Sequence, residues 1–228
     1  ESKPFCFISV EYLKEKGIPF KDSIYASIDD LLSNQEKKDF EKLVGMNHSL
    51  AQTVKQCKAT ISYPPNGLPM LLYGPTGTGK SLIAKLTYEW ARNQGVISKD
   101  GQFVQVNCSE YANNPELLTA NLFGHVKGAF TGAEKDNEGL IALADNGVLF
   151  LDEVHELKAE CQEKLFLFMD QGIYHRVGDN EKWYKSNVRI VFATTENPDK
   201  VLLKTLMRRI PMTITIPSLE QRGTQERI

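Results

Sequence analysis

Several common signatures are missing from this 228-residue chain. It has four cysteines, Cys6, Cys57, Cys108 and Cys161. They are far apart and form no CxxC pair, which leaves no disulfide framework and no zinc-ligand spacing. The four histidines are equally scattered. No apolar run is long enough to cross a membrane, and the N-terminus does not read as a signal peptide. A reducing, cytoplasmic location is the expectation that fits these absences. Neither sign of charge dominates. The formal net charge is −2, so there is no overall basic field for nucleic acid, and any such contact must be local or lie elsewhere. There is no internal repeat and no low-complexity segment.

What is present is an ordinary globular composition, 41% hydrophobic and 25% charged, sufficient for one sizeable domain, or one domain plus an attached segment. The chain starts on Glu1 rather than Met and ends on the charged run "SLEQRGTQERI", so it is expected to be part of something longer. Residues 1–42 read as a linker or entering segment. In "SIDDLLSNQEKKDFEKLVG" apolar and charged residues alternate at helical spacing up to Gly45. Residues 43–228 read as the domain. "HSLAQTVKQCKATI" is an amphipathic helix ended by "SYPPNG", whose prolines cannot extend it. "LPMLLY" is an apolar run suited to a strand buried on both faces. "SLIAKLTYEWARNQG" places Leu82, Ile83, Leu86 and Trp90 on one helical face, with Gly95 as its C-cap. "QFVQVN", "NGVLFLDE", "SNVRIVFATT" and "MTITI" supply four more strands. "ECQEKLFLFMDQG" is a helix that turns Leu165, Phe168 and Met169 inward. Strands alternating with helices predict a parallel α/β sheet.

Between the first strand and its helix lies Gly74-Pro75-Thr76-Gly77-Thr78-Gly79-Lys80-Ser81, which fits GxxxxGK[ST]. Its glycines let backbone N–H groups close around a phosphate chain, and the helix behind adds the positive end of its dipole. Lys80 can reach the β- and γ-phosphates, Ser81 can join a Mg²⁺ shell, and Leu82 continues the cradle. The second half of such a site is an acid at a neighbouring strand end. "VLFLDE" offers Asp152 for the metal and Glu153 to orient and polarise water. The ordinary alternatives are a glycine turn and two solvated acids.

A third feature fits no secondary-structure period. "GHVKGAFTGAEKDNEG" is polar and glycine-rich, yet holds Phe130. That ring either packs under its own loop or is displayed for a partner. Together, GPTGTGKS, FGHVKGAFTGA, VLFLDEVHEL and VRIVFATTENP, in that order from about residue 43 onward, resemble the AAA+ ATPase domain of bacterial enhancer-binding proteins, the activators of sigma-54 RNA polymerase. "YPPNGLPMLLYGPTGTGKS" and "LMRRIPMTITIPSLEQR" look most like the levanase-operon-regulator branch.

The resemblance implies a P-loop AAA+ three-layer sandwich on a five-stranded parallel sheet, with ATP and Mg²⁺ as ligands. It implies a homo-oligomeric ring, with the sigma-54 holoenzyme as partner. DNA is contacted only through a domain outside this chain, and no membrane is involved. Phe130 and Thr131 match the pair that touches sigma-54. Asn107 matches an asparagine that holds the catalytic glutamate in an inactive pose. Thr194 matches the sensor threonine. The next family position is usually Asn but here is Thr195, so Glu196 or Asn197 could share the sensing. Arginine fingers from a neighbouring subunit match Arg208 and Arg209, with Arg209 favoured. Either could instead be a surface ion-pair residue. "GIYHRVGDNEKWYKSN", with Arg176, matches a second surface insertion and also reads as a β-hairpin with Gly178-Asp179-Asn180 at its tip. The family's helical lid follows "PSLEQR". It is expected to be largely absent here, leaving these 228 residues weak in ATP binding and hydrolysis and poor at forming a ring. Competing readings are another AAA+ remodelling ATPase, an ATP-gated switch without catalysis, and, least favoured, a helicase.

Overall fold

In the computed structural model, residues 43–223 are described, together with Phe40 and Glu226. The helical reading of residues 27–42 lies outside the described residues. The elements run α1 (Ala51–Ile61), β1 (Met70–Tyr73), α2 (Lys80–Asn93), β2 (Phe103–Asn107), α3 (Pro115–Phe123) and α4 (Leu140–Leu143). They continue with β3 (Val148–Asp152), α5 (Ala159–Gln171), β4 (Ile173–Tyr174), β5 (Tyr184–Lys185), β6 (Arg189–Thr194), α6 (Pro198–Val201), α7 (Lys204–Met207) and β7 (Met212–Thr215). Short 3₁₀ turns, Cys108–Tyr111 and Val154–Glu156, follow β2 and β3.

Five strands form one sheet in the order β2-β3-β6-β1-β7, and every pairing is parallel. All five apolar runs read as strands occupy it. Parallel pairing requires crossovers that cover both faces, which is why the central strands are apolar at nearly every position. In β3, Val148, Leu149, Phe150 and Leu151 are all fully buried. Period-two alternation then sorts the side chains. Leu71, Leu149, Leu151, Ile190 and Phe192 join one cluster with Leu118, Leu122 and Phe123 of α3 and Leu165 and Phe168 of α5. On the other side α2 lies against β3 and β6, and α1 packs on α2.

The helix ends follow from local chemistry. Asn114 caps α3 by accepting from the Leu117 N–H at 3.2 Å, and Pro115 fills the first helical position. Gly95, at φ +71°, closes α2, and the following N–H, of Val96, returns to the Ala91 carbonyl. One packing expectation needs correction. Ile83, Leu86 and Trp90 are buried as read, but Leu82 is 42% exposed. At 100° per residue the buried face is completed by Ala84, Thr87 and Ala91, and Leu82 falls on its edge beside the phosphate loop. Met169 packs only at the margin of the core.

Among the described residues the free thiols, Cys57, Cys108 and Cys161, are buried. Burial pushes Cys57 up to about 12 and Cys161 up to about 11, and raises Cys108 further. At pH 8 these three cysteines are expected to resist a chromogenic disulfide reagent in the folded protein and to react within minutes once denaturant is added, read by absorbance in a Cys6→Ser background. In the same protein, Phe192→Ala, at a fully buried central-strand position, is expected to cost about 3–5 kcal/mol in a urea unfolding curve.

Candidate functional site

Because the sheet is parallel, the C-terminal ends of β1, β3 and β6 open on one edge, and the loops that leave them converge there. The loop after β1 is the glycine-rich one. Pro75, Thr76 and Gly77 are exposed, while Thr78 and Lys80 are buried. Gly77 and Gly79 take φ +79° and +90°, a region that side chains disfavour, and a Cβ on either would meet open space rather than protein. The loop backbone is therefore unobstructed at both positions. Gly74 is different: a Cβ there would collide with the Ile216 carbonyl at 2.7 Å, so this glycine is required by the adjoining chain.

Within the cradle the Lys80 ammonium donates to the carbonyls of Gly74 at 2.8 Å and Pro75 at 3.1 Å. Burial lowers its pKa, and the charges of Glu153 and then Asp152 oppose that shift. The Ser81 hydroxyl donates to Asp152 Oδ2 at 2.9 Å, joining two residues 71 positions apart. Asp152 Oδ1 accepts from the Glu153 N–H at 3.0 Å. Glu153 sits at φ +52°, left-handed and unusual for a non-glycine residue. Its carboxylate accepts from the Thr195 hydroxyl at 3.0 Å and lies 3.3 Å from His155 Nδ1. Thr194, fully buried at the end of β6, has its hydroxyl 3.2 Å from the same His155 nitrogen.

The structure thus brings together Gly74 through Leu82, Asp152, Glu153 and Thr194. It gives Asn107 another task. The Asn107 side chain accepts from the Ser109 N–H at 3.1 Å and the Ser109 hydroxyl at 2.8 Å, capping the turn after β2, while Thr195 holds Glu153. Arg209, the favoured finger, is bound within its own chain. It makes two bonds to Asp170, at 2.7 and 2.6 Å, and lies over Phe166 at 4.6 Å. That contact holds the Asp170 carboxyl below its usual range. Arg208, its neighbour, is exposed.

Two residues of the site were not singled out from sequence. His155 was visible only as a histidine two positions after the acid pair. Arg222 belongs to the "PSLEQR" run and was given no role. It is 6% exposed and donates to the Thr78 carbonyl of the phosphate loop at 2.7 Å and to the Pro217 carbonyl at 3.2 Å.

On a second surface, the GAFTGA segment folds as a closed loop. The Gly128 N–H donates to the Ala133 carbonyl at 2.8 Å and the Ala133 N–H to the Phe130 carbonyl at 3.0 Å. Thr131 is exposed, and Phe130 is 37% exposed with its ring edge-on to His125 at 5.0 Å. Phe130 is therefore half displayed and half packed. The loop neck is the paired His125 and Asn137, and β4 and β5 form the hairpin read from sequence. That hairpin is stitched to the neck: the Val126 N–H donates to the Val177 carbonyl at 3.1 Å, and Gly178 presses on Ala129. Arg176, 13% exposed in its side chain, lies over the Tyr184 ring at 4.2 Å.

The family model described as the sigma-54 interaction domain matches residues 43–214. The chain belongs to the sigma-54 interaction domain family. It is 52% identical over 188 residues to the transcriptional regulatory protein LevR of Bacillus subtilis, covering 82% of this chain and 20% of that protein. It is 43% identical over 208 residues to the transcriptional regulatory protein DagR of Salmonella typhimurium, covering 89% of this chain and 22% of that one. The chain thus spans about a fifth of the length of these relatives. Among solved structures, NtrX from Brucella abortus in complex with ATP superposes with a TM-score of 0.62 at 25% identity, covering 84% of this chain and 41% of that one.

Arg222 ties the exit of β7 to the phosphate loop of this sigma-54 interaction domain. Arg222→Ala is expected to weaken binding of a fluorescent ATP analogue by about tenfold, the scale of one lost charge-assisted hydrogen bond. A titration in which the affinity stays within twofold of the parent would show that the loop holds its shape without it.

Proposed function

We propose that residues 43–228 form an ATP-binding and ATP-hydrolysing domain of a transcriptional regulator, which contacts and remodels the sigma-54 RNA polymerase holoenzyme in the cytoplasm. The observation that carries this reading is the Ser81–Asp152 bond beside the buried Lys80, which closes a phosphate cradle on a strand-end acid. The residues fit a nucleotide and its metal. The cradle has open space over Gly77 and Gly79, and the hydroxyl and carboxylate that would hold Mg²⁺ already face each other. When bound, the ion supplies positive charge to the β- and γ-phosphates.

This chain's own residues divide the remaining work. Backbone N–H groups of Thr76 through Gly79 bind the phosphates, and Lys80 exchanges its two carbonyl partners for phosphate oxygens. Glu153 takes the proton of the attacking water and orients its lone pair toward the γ-phosphorus. Thr194, buried at the end of β6, is the residue assigned to sensing the γ-phosphate. An arginine of the next subunit in a ring stabilises the developing charge. Arg208 is better placed for that role than Arg209, which would first have to leave Asp170. Asn107 can hold Glu153 in an alternative pose only by releasing Ser109. Phe130 and Thr131 present the work to sigma-54, and DNA recognition belongs to another part of the longer protein.

The reading is tested on the longer regulator, including whatever lid follows "PSLEQR". Glu153→Gln is expected to retain ATP binding while phosphate release falls by about 10²–10⁴-fold. Thr131→Ala is expected to hydrolyse ATP at the parent's rate but lose the shifted sigma-54 complex on a native gel with ADP and aluminium fluoride. Full hydrolysis by the Glu153 variant would remove that residue from the chemistry. An unshifted parent protein that hydrolyses ATP would point to another AAA+ remodelling machine.

A further inference from the structure

The Glu153 side chain is more tightly surrounded than a water-activating acid at a strand end needs to be. Its Oε2 accepts from the Thr195 hydroxyl at 3.0 Å on one side and stands 3.3 Å from His155 Nδ1 on the other. The two contacts come from different elements, Thr195 from the exit of β6 and His155 from the 3₁₀ turn after β3. The imidazole is itself fixed. Nδ1 also lies 3.2 Å from the Thr194 hydroxyl, and Nε2 faces Glu156 Oε1 at 3.6 Å. The Thr194 hydroxyl in turn accepts from the Glu196 N–H at 3.1 Å. The His155 side chain is only 20% exposed and that of Glu153 only 24%, so water competes weakly at these contacts, and the imidazole holds the carboxylate in the tautomer that carries its proton on Nδ1.

We propose that Thr195 and His155 are positioning residues which hold the Glu153 carboxylate from two sides, with the imidazole tying that carboxylate to Thr194. Neither residue touches the nucleotide. Their role is to remove the rotational freedom of the Glu153 side chain, so that its oxygen faces the phosphate cradle instead of solvent. The strained backbone makes such a hold useful. At φ +52° the residue has left the strand, and no ladder bond of β3 fixes the direction of its side chain. The hold also links two strand ends. A shift of Thr194 on β6 moves the imidazole and with it the acid on the turn after β3, so whatever acts on Thr194 reaches Glu153 through one ring.

This inference rests on the ATPase reading, and the experiment separates the two. In the longer regulator, steady-state ATP hydrolysis is measured for Thr195→Val, Thr195→Ser, His155→Ala, the Thr195→Val/His155→Ala pair and Glu153→Gln. Thr195→Val keeps the volume and shape of the side chain while deleting the hydroxyl, and thermal melts check that each variant is folded. Thr195→Val and His155→Ala are each expected to lower kcat about tenfold, the scale of one lost hydrogen bond to a charged group, with KM for ATP within about twofold of the parent. Thr195→Ser restores the hydroxyl and is expected to restore kcat. The double variant is expected to lose less than the product of the single losses, because both residues act on one carboxylate. The proposal falls if kcat stays within twofold in both single variants, if KM rises while kcat is unchanged, or if Thr195→Ser is as slow as Thr195→Val. Should Glu153→Gln hydrolyse ATP normally, it is the assignment of Glu153 that fails. An inactive Glu153→Gln beside fully active Thr195 and His155 variants overturns the two-sided hold alone.

Discussion

The site depends on parallel strand pairing. Its groups come from positions as distant as Gly74, Asp152 and Thr194, and no local sequence preference would collect them. A parallel sheet does so by construction, because every strand delivers its C-terminal residue to the same edge. Here β6 lies between β1 and β3, with Tyr73 opposite Thr194 and Leu151 opposite Phe192. The strand that ends on Thr194 is thus the physical divider between the glycine-rich loop and the acids. A slip of register would move the strand-end groups by about 3.3 Å per residue, more than a hydrogen bond tolerates. The apolar side chains on both faces of β3 and β6 oppose such a slip, so core packing sets the accuracy of the polar edge.

The Ser81–Asp152 bond shows how little polar structure is then needed. One hydroxyl and one carboxylate meet because α2 starts where β1 ends and β3 ends nearby. Lys80 is buried, in a place where an unpaired ammonium would be costly, and two loop carbonyls satisfy it. Those carbonyls are replaceable by phosphate oxygens, which carry more charge. The buried ammonium therefore leaves the cradle favouring an anion.

Much of this was legible in sequence because it rests on short-range rules. The five strands were apolar runs bounded by turn residues, and GPTGTGKS lies between one of them and an amphipathic helix, where only one chemistry suits it. What sequence could not supply was the choice of partner among residues of similar type. Asn107 and Thr195 can both hydrogen-bond a carboxylate, and which of them reaches Glu153 depends on where the turn after β2 points. Arg208 and Arg209 are chemically identical, and only the fold places Asp170 and Phe166 beside the second. Leu82 was misassigned for a simpler reason: at the first turn of a helix one residue's rotation separates the buried face from the rim. His155 carried no signal of its own, since a lone histidine after an acid pair gains meaning only from the strand ends around it.

The geometry also constrains how the phosphate edge can influence the displayed loop. From Asn107 the chain passes through the capped turn and α3 and reaches Gly124, whose backbone is wedged against Asn137 and Glu138 so closely that no side chain fits. Beyond it the His125–Asn137 neck is held to Val177 of the hairpin, and the hairpin follows α5 directly. Two routes therefore join the strand ends to the GAFTGA loop, one through α3 and one through α5 and β4. Both are helices packed in the same cluster, by Leu118 and Leu122 on one and Leu165 and Phe168 on the other. Packed helices shift as bodies rather than bend, so the two supports of the loop neck are rigid elements. The turns at Gly128 and Gly132 are the compliant part of the loop. There a Cβ would meet nothing, whereas Ala129 and Phe130 between them rest on Gly178 and His125. Stiff supports beneath and two glycine turns above leave Thr131 exposed at the tip, with Phe130 half packed on His125.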